Sequence, residues 1–305
     1  MFAYFVKRIA AAIATLLLVS TITFFLMFLV PGGPFLAEKS PSPQTLAALE
    51  KKYGLDKPVS VQYLNYMKGL AKGDLGLSMK LRGRTVNDII KEGFPVSAKM
   101  GGIAVLLAVT LGLIMGSIAA LNRGKFLDNL IITIATFGIA VPGFVVATVL
   151  MYYFGVVLEI LPTLGLKSAK HYILPVTSLA FYPTAYISRL TRSSMLDVLG
   201  QDYMRTAKAK GLSQTISLFK HALRNAILPV ITYLGPLLAY ILTGSFVVEK
   251  IFTIPGLGSQ FISSIIGRDY PLIMGTTIFL AFLVITMNVV VDIVYHIVDP
   301  RIKLK

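Results

Sequence analysis

The 305-residue chain contains no cysteine, three histidines and 14 acidic residues. Without cysteine there is no disulfide, no thiolate metal site and no cysteine nucleophile. His171, His221 and His296 fall near the ends of apolar stretches. None belongs to a His-Glu-x-x-His pattern or sits beside paired carboxylates, so no zinc or hydrolase centre is expected. A phosphate-cradling Gly-x-x-x-x-Gly-Lys-Ser/Thr loop is also missing. The nearest fragment, Gly124-Lys125, runs into Phe126, and the chain is not expected to hydrolyse ATP by itself. No 20–50-residue repeat and no low-complexity tract occurs. Charge is scarce: 14% of residues are charged and 55% hydrophobic, against about 25% charged in a soluble domain. A net charge of +15 would by itself suggest a nucleic-acid surface, but a chain this apolar cannot keep most of itself in water.

What is present is a set of six charge-free windows, at residues 9–30, 100–122, 129–158, 171–188, 225–248 and 270–291. A membrane span needs roughly 20 apolar residues at about 1.5 Å rise each, so six transmembrane helices are expected. The fourth window is the weakest, being short and carrying Pro175 and Pro183. The third is long, and Pro142 offers a kink site. The first is too long and too aromatic (Phe24, Phe25, Phe28) to read as a cleaved signal peptide.

Orientation follows from Lys and Arg in short loops. An inside N-terminus places fourteen of them on the cytoplasmic face, among them Lys7, Arg8, Arg123, Lys125, Arg189 and Arg192. The short outer loops then hold only Lys167, Lys170, Lys250 and Arg268. Both termini are expected in the cytoplasm.

Two segments exceed simple connectors. The outer one, residues 31–99, opens with Pro31-Gly-Gly-Pro34 and shows helical patterning at 44–53 and at 59–72, where Tyr63, Leu64, Met67 and Leu70 recur at helical spacing. It reads as a small structured external domain, with a flexible loop as the alternative. The cytoplasmic one, residues 189–224, reads as helix, glycine, helix: Gly211 suits a C′ position and Ser213 can cap the next helix. Its alternative is an amphipathic helix lying on anionic lipid.

Within that segment stand Asp202-Tyr-Met-Arg-Thr-Ala-Lys-Ala-Lys-Gly211 and His221-Ala-Leu-Arg-Asn225-Ala-Ile-Leu-Pro229. Elsewhere stand Pro31-Gly-Gly-Pro-Phe35, Tyr53-Gly-Leu-Asp-Lys-Pro58, Gly73-Asp-Leu-Gly-Leu-Ser78, Gly244-Ser-Phe-Val-Val-Glu-Lys-Ile-Phe252, Pro255-Gly-Leu-Gly258 and Asp299-Pro-Arg301. In this order they resemble the transmembrane permease subunits of bacterial ATP-binding-cassette importers. The likeness is to the dipeptide/oligopeptide branch, most of all its B-type oligopeptide subunit, from residue 1 to about 304.

The resemblance implies an all-α integral membrane protein of the type I importer permease fold, with a small extracellular insertion after helix 1. Its parts would be a first helix (1–30), an extracellular domain (31–95), a five-helix core (96–296) and a cytoplasmic tail (297–305). It implies that Arg205, Thr206, Ala207, Lys208, Ala209, Lys210 and Gly211 form a coupling helix docking on a cytoplasmic ATPase. Small alanines would allow close approach and the basic residues would meet acidic groups or helix C-termini. Thr206 stands where the broader importer motif opens with Glu.

The resemblance also places Glu249, Pro255, Gly256 and Gly258 at an external gate under a substrate-binding protein; a simple turn is the alternative. Pore-lining candidates are Tyr152, Tyr153, Tyr240 and Thr243, drawn from a wider set of polar residues in the spans. The implied partners are a homologous second permease, two P-loop ATPases, an extracellular solute-binding lipoprotein and membrane lipid, with no nucleic acid. The chain itself would hold no cofactor, ATP and Mg being bound by the ATPases. The implied location is the bacterial inner (plasma) membrane, and the implied cargo is peptide, or a metal chelate within the same importer class. An ion-coupled secondary transporter is the reading from another class; it calls for mid-membrane acids and inverted repeats. Asp292, at the end of the sixth window, reads as an interfacial carboxylate or a proton relay.

Overall fold

A computed structural model describes residues 2–35, 42–204 and 222–298. Among the described residues the chain is helical without a β-strand; a lone antiparallel bridge joins Leu77 to Thr85. The helices are α1 (Phe2–Leu29), α2 (Pro43–Tyr53), α3 (Val59–Ala71), α4 (Val86–Leu121), α5 (Phe126–Ala140), α6 (Gly143–Leu150), α7 (Lys170–Leu199), α8 (Leu228–Gly244), α9 (Phe246–Ile251), α10 (Leu257–Gly267) and α11 (Tyr270–Val298). A π-helical turn, Met151–Val157, follows α6.

Local chemistry explains the boundaries. Ser42 caps α2 through its Oγ to the Thr45 N–H, with Pro43 at the first helical position. Gly54, at φ 69°, closes α2 in the left-handed conformation that favours glycine, and the Leu55 N–H returns to the Glu50 carbonyl. Thr85 and Asp88 begin α4 reciprocally: the Asp88 N–H reaches Thr85 Oγ1 at 3.0 Å, and that hydroxyl donates to Asp88 Oδ2 at 2.5 Å.

Six spans were expected. By length and composition, three described helices suffice to cross a membrane: Val6–Leu29, Val86–Leu121 and Tyr270–Val290. A fourth arises if α5 and the segment Gly143–Val157 are one span bent by 102°. That bend lies in the third window at Val141–Pro142, where both residues are extended (ψ 124° and 138°) and Pro142 lacks the N–H a continuing helix requires. The fourth window lies inside α7, a 30-residue helix whose Pro175, Pro183, tyrosines and hydroxyls dilute its apolar character. The fifth is cut at Ser245 into α8 and the short α9.

The chain divides into two compact units. The first comprises residues 1–97 with 255–285, the second 98–254 with 286–304. The expected 31–95 domain is therefore part of a larger body that also contains α1, α10 and the first half of α11. Neither α2 nor α3 holds a fully buried residue. They pack through half-buried aromatics: Phe24 of α1 stacks on Tyr66 of α3 at 5.6 Å and meets Tyr63 edge-on at 5.3 Å. In the second unit α7 is the axis, and α5, α6, α8 and α9 pack on it. Glycine permits the closest approaches: a Cβ at Gly116 of α4 would lie 2.5 Å from the Ser188 carbonyl oxygen and 2.6 Å from Thr191 Cβ of α7.

Candidate translocation cavity and its supports

Helix α7 presents Ser178, Leu179, Tyr182 and Pro183 to a cavity of about 620 Å³ within the second unit. The α5–α6 break supplies Pro142 and Phe144, α8 supplies Tyr233, Pro236 and Tyr240, and α9 supplies Val247 and Val248. Three prolines, one at the α5–α6 break and one inside each of α7 and α8, thus meet at one space. Each interrupts a backbone ladder; Pro183 in particular gives no N–H to the carbonyl of Leu179, itself in the wall. The aromatic wall continues beyond the cavity as a ladder, with Tyr186 packed 4.3 Å from Tyr233 and 6.3 Å from Tyr182. The Ser178 hydroxyl is spent on the Leu174 carbonyl at 2.7 Å. The tyrosines are therefore the main side-chain hydrogen-bonding groups of an otherwise apolar wall.

Of the pore-lining candidates, Tyr240 is in this wall and 62% exposed. Tyr152 and Tyr153 lie on the π-helical turn, paired edge-on at 5.5 Å and more than half exposed, away from the cavity. The side chains of Thr243 and Asp292 lie outside the described residues. Tyr182 and Tyr233 were legible only as members of the wider polar set. The convergence of prolines had no sequence signal beyond the prolines themselves.

Glu249 of α9 is fully buried and accepts a hydrogen bond from Ser245 Oγ one turn earlier; its backbone carbonyl receives the Ile254 N–H at 2.8 Å. Pro255, Gly256 and Gly258 belong to the first unit. Pro255 is exposed, while Gly256 and Gly258 are buried at the start of α10. There Ser97 Oγ of α4, only 1% exposed, accepts the Leu257 N–H at 2.9 Å. The room for this contact comes from Gly93, where a Cβ would stand 3.0 Å from Leu257 N.

The seven coupling candidates Arg205, Thr206, Ala207, Lys208, Ala209, Lys210 and Gly211 lie outside the described residues. Their two anchors are described. Met204 on the entering side and Ala222 on the leaving side are both buried in one cluster with Ala120, Met195 and Ala226, and Asn225 Nδ2 donates to the Tyr203 hydroxyl at 3.0 Å. The described residues on the two sides of the segment are therefore packed together in a single base. In the same unit Asp128, 2% exposed, holds Arg192 of α7 through two contacts of 2.5 and 2.7 Å and accepts the Gly124 N–H at 2.9 Å.

A second buried carboxylate organises the first unit. Asp269, 1% exposed, accepts from Ser78 Oγ, from the Met79 N–H at 3.0 Å and from the Lys80 N–H at 3.3 Å. Beside it Arg268, at φ 55°, ends α10 and donates to the Pro31 carbonyl at 2.9 Å. Two sequence motifs, the Pro-Gly-Gly-Pro turn and Gly73-Asp-Leu-Gly-Leu-Ser78, are thereby tied to the start of α11. Burial, and secondarily the Asp269 charge, raise the pKa of the nearby Tyr53 phenol, whose hydroxyl donates to the Ser78 carbonyl at 3.1 Å.

Comparison with known proteins places these features. Residues 108–304 match the family described as binding-protein-dependent transport system inner membrane component, and residues 1–83 match the description of its N-terminal membrane component. The chain is 50% identical over 301 residues to the dipeptide transport system permease protein DppB of Bacillus subtilis (strain 168), covering 99% of this chain and 98% of the relative. It is 44% identical over 305 residues to the oligopeptide transport system permease protein OppB of Haemophilus influenzae, and 42% identical to that of Escherichia coli (strain K12), in each case over 99% of this chain and 100% of the relative. Among solved structures, inward-facing conformations of the MetNI methionine ABC transporter superpose with a TM-score of 0.58 at 16% identity, covering 69% of this chain and 96% of the compared chain. That likeness is one of fold.

Proposed function

Because the chain belongs to the binding-protein-dependent transport system inner membrane components, in their dipeptide/oligopeptide permease branch, we propose that it forms half of an ATP-driven peptide pathway through the cavity walled by Tyr182, Tyr233 and Tyr240. The same membership sets aside the ion-coupled secondary transporter. It is a multi-pass membrane subunit of a transport system, and in this reading both its termini are cytoplasmic. A homologous permease supplies the opposite wall, two P-loop ATPases bind ATP and Mg and do the hydrolysis, and an external solute-binding lipoprotein delivers the cargo.

The cavity carries this reading. Its volume of about 620 Å³ falls inside the roughly 300–1,000 Å³ range of small-ligand sites. Its polar groups are phenol hydroxyls and a proline-freed carbonyl, not charges. A peptide presents a constant backbone and variable side chains. Hydroxyls that donate and accept can serve any peptide unit weakly, and aromatic faces tolerate varied side chains. Weak, sequence-tolerant contact is what passage requires.

Coupling, in this reading, runs through Thr206, Ala207, Lys208, Ala209, Lys210 and Gly211 at the end of the packed base. ATPase closure moves that base, and α7, packed on the cavity helices, carries the movement as a rigid body. The test is uptake of labelled di- and pentapeptides by the complete importer in proteoliposomes. Uptake should require internal ATP, and Gly211→Leu should abolish ATPase assembly. Uptake driven by an ion gradient alone, or normal assembly and transport with Gly211→Leu, would overturn the respective half of the proposal.

A further inference from the structure

The packed base and the cavity lie in the same unit, and the helices that wall the cavity are joined to the base in unequal ways. Helix α7 reaches from one to the other: Ser178 and Pro183 stand in the cavity wall and Met195 in the base. Helix α8 is joined as closely. The chain passes from Ala226 of the base into α8 with the Ile227 N–H on the Leu223 carbonyl and the Ile231 N–H on the Ile227 carbonyl, both at 2.9 Å. Helix α5 ends at the Val141–Pro142 bend in the cavity wall, yet among the described residues it gives none to the base. Only a turn at residues 122–125, with Gly124 at φ 73°, joins it to α4. Such a turn absorbs dihedral change that a continuous helix would transmit.

Two contacts hold α5 against α7. Near the cavity the contact is apolar: Gly138 meets Ala185, and a Cβ at that glycine would stand 2.6 Å from the alanine Cβ. Apolar contact is close but non-directional, and it permits helices to roll over each other. At the far end the contact is polar. Asp128, in the first turn of α5, receives Arg192 Nε on Oδ1 at 2.5 Å and Nη2 on Oδ2 at 2.7 Å, while Oδ2 also accepts the Gly124 N–H at 2.9 Å. A planar guanidinium meeting both oxygens of a carboxylate fixes distance and angle together. Arg192 precedes Met195 of the base by one helical turn, and Gly124 follows soon after Ala120 of the base. One carboxylate therefore grips both the turn and α7 at the level of the base. The Asp128 side chain is 2% exposed and that of Arg192 27%, so the pair escapes the screening that makes surface pairs weak.

We propose that Asp128 and Arg192 are positioning residues for transport: the pair makes α5, and with it the cavity wall at residues 139–144, follow α7 when the base moves. This rests on the peptide-import reading above. With the pair broken, α7 and α8 still move with the base while the α5–α6 wall lags, and the cavity changes shape incompletely. ATP is then consumed without a peptide crossing. The pair touches no cargo and acts through the wall it places.

The experiment reconstitutes the complete importer in proteoliposomes and measures ATP hydrolysis and uptake of a labelled pentapeptide on the same vesicles. The quantity read is ATP hydrolysed per peptide delivered. A mere loss of assembled complex leaves it unchanged, because both rates fall together. Asp128→Asn, which keeps an oxygen for the Gly124 N–H, should raise the ratio several-fold. Arg192→Lys keeps the charge but cannot form the two-contact fork; it should raise the ratio by a smaller factor, and it decides the matter where Asp128→Asn does not assemble. Asp269→Asn serves as the control for lost stability, since it loosens residues 78–80 of the first unit, and its ratio should stay at the unaltered value. An unchanged ratio in Asp128→Asn, or in Arg192→Lys where only that variant assembles, overturns the proposal and leaves the pair to stability alone. So does an equal rise in Asp269→Asn. Failure of the import reading shows separately, as uptake by the unaltered importer that needs no ATP.

Discussion

Two buried carboxylates carry much of the residue-scale stability, and they differ in how they are neutralised. Asp128 is held by a guanidinium, so Asp128→Asn leaves Arg192 in a half-buried setting without its counter-charge. Breaking such a pair costs about 3 kcal/mol, and a lower melting temperature of the purified complex is expected. Arg192→Lys keeps the charge and loses the paired contact of Nε and Nη2, so its loss should be smaller but measurable. Among the described residues Asp269 pairs with no cation and is satisfied by a hydroxyl and backbone N–H groups. Asp269→Asn turns one acceptor into a donor facing N–H groups. A destabilisation of about 2 kcal/mol is expected, visible as faster proteolysis within residues 73–85. Neither carboxylate stood out in the sequence, where Asp128 stands between Leu127 and Asn129 and Asp269 simply follows Arg268. Their partners are 64 and about 190 positions away, and no local pattern connects such distances.

At the scale of elements, helix contact here depends on missing side chains as much as on present ones. Gly116→Ala puts a methyl against the Ser188 carbonyl and Thr191 of α7, and backbone cannot retreat as a flexible side chain can. Destabilisation of about 1–3 kcal/mol is expected. Gly102→Ala, on the same helix with open space around it, should be neutral or slightly stabilising. Parallel thermal melts of the two variants check the contrast. Helices α2 and α3 were legible to within a residue or two because their signals are local: a serine cap, a proline, a left-handed glycine. The break between α5 and α6 was also announced, by Pro142. The division of the fifth window at Ser245 was not, since apolar composition is the same on both sides of it. Charge-free length counts residues and is blind to where a backbone turns.

For the whole molecule, residues 42–97 lie in one compact unit with α1, α10 and the beginning of α11. Helices α2 and α3 bury nothing fully by themselves, so a fragment of residues 42–97 should show low helicity by circular dichroism and poorly dispersed NMR signals; a well-dispersed spectrum would contradict this. By itself the sequence determined the membrane class, the permease family and the extents of α2 and α3, because composition, short-range capping and ordered motifs are written along the chain. Tertiary structure alone decided that three prolines share one tyrosine-walled cavity, that Asp269 gathers two distant motifs and that the Tyr66 and Tyr270 phenols are buried with no partner among the described residues. Each of these depends on which helices close on one another, and that choice is made by packing across the fold, where neighbours in space are strangers in sequence.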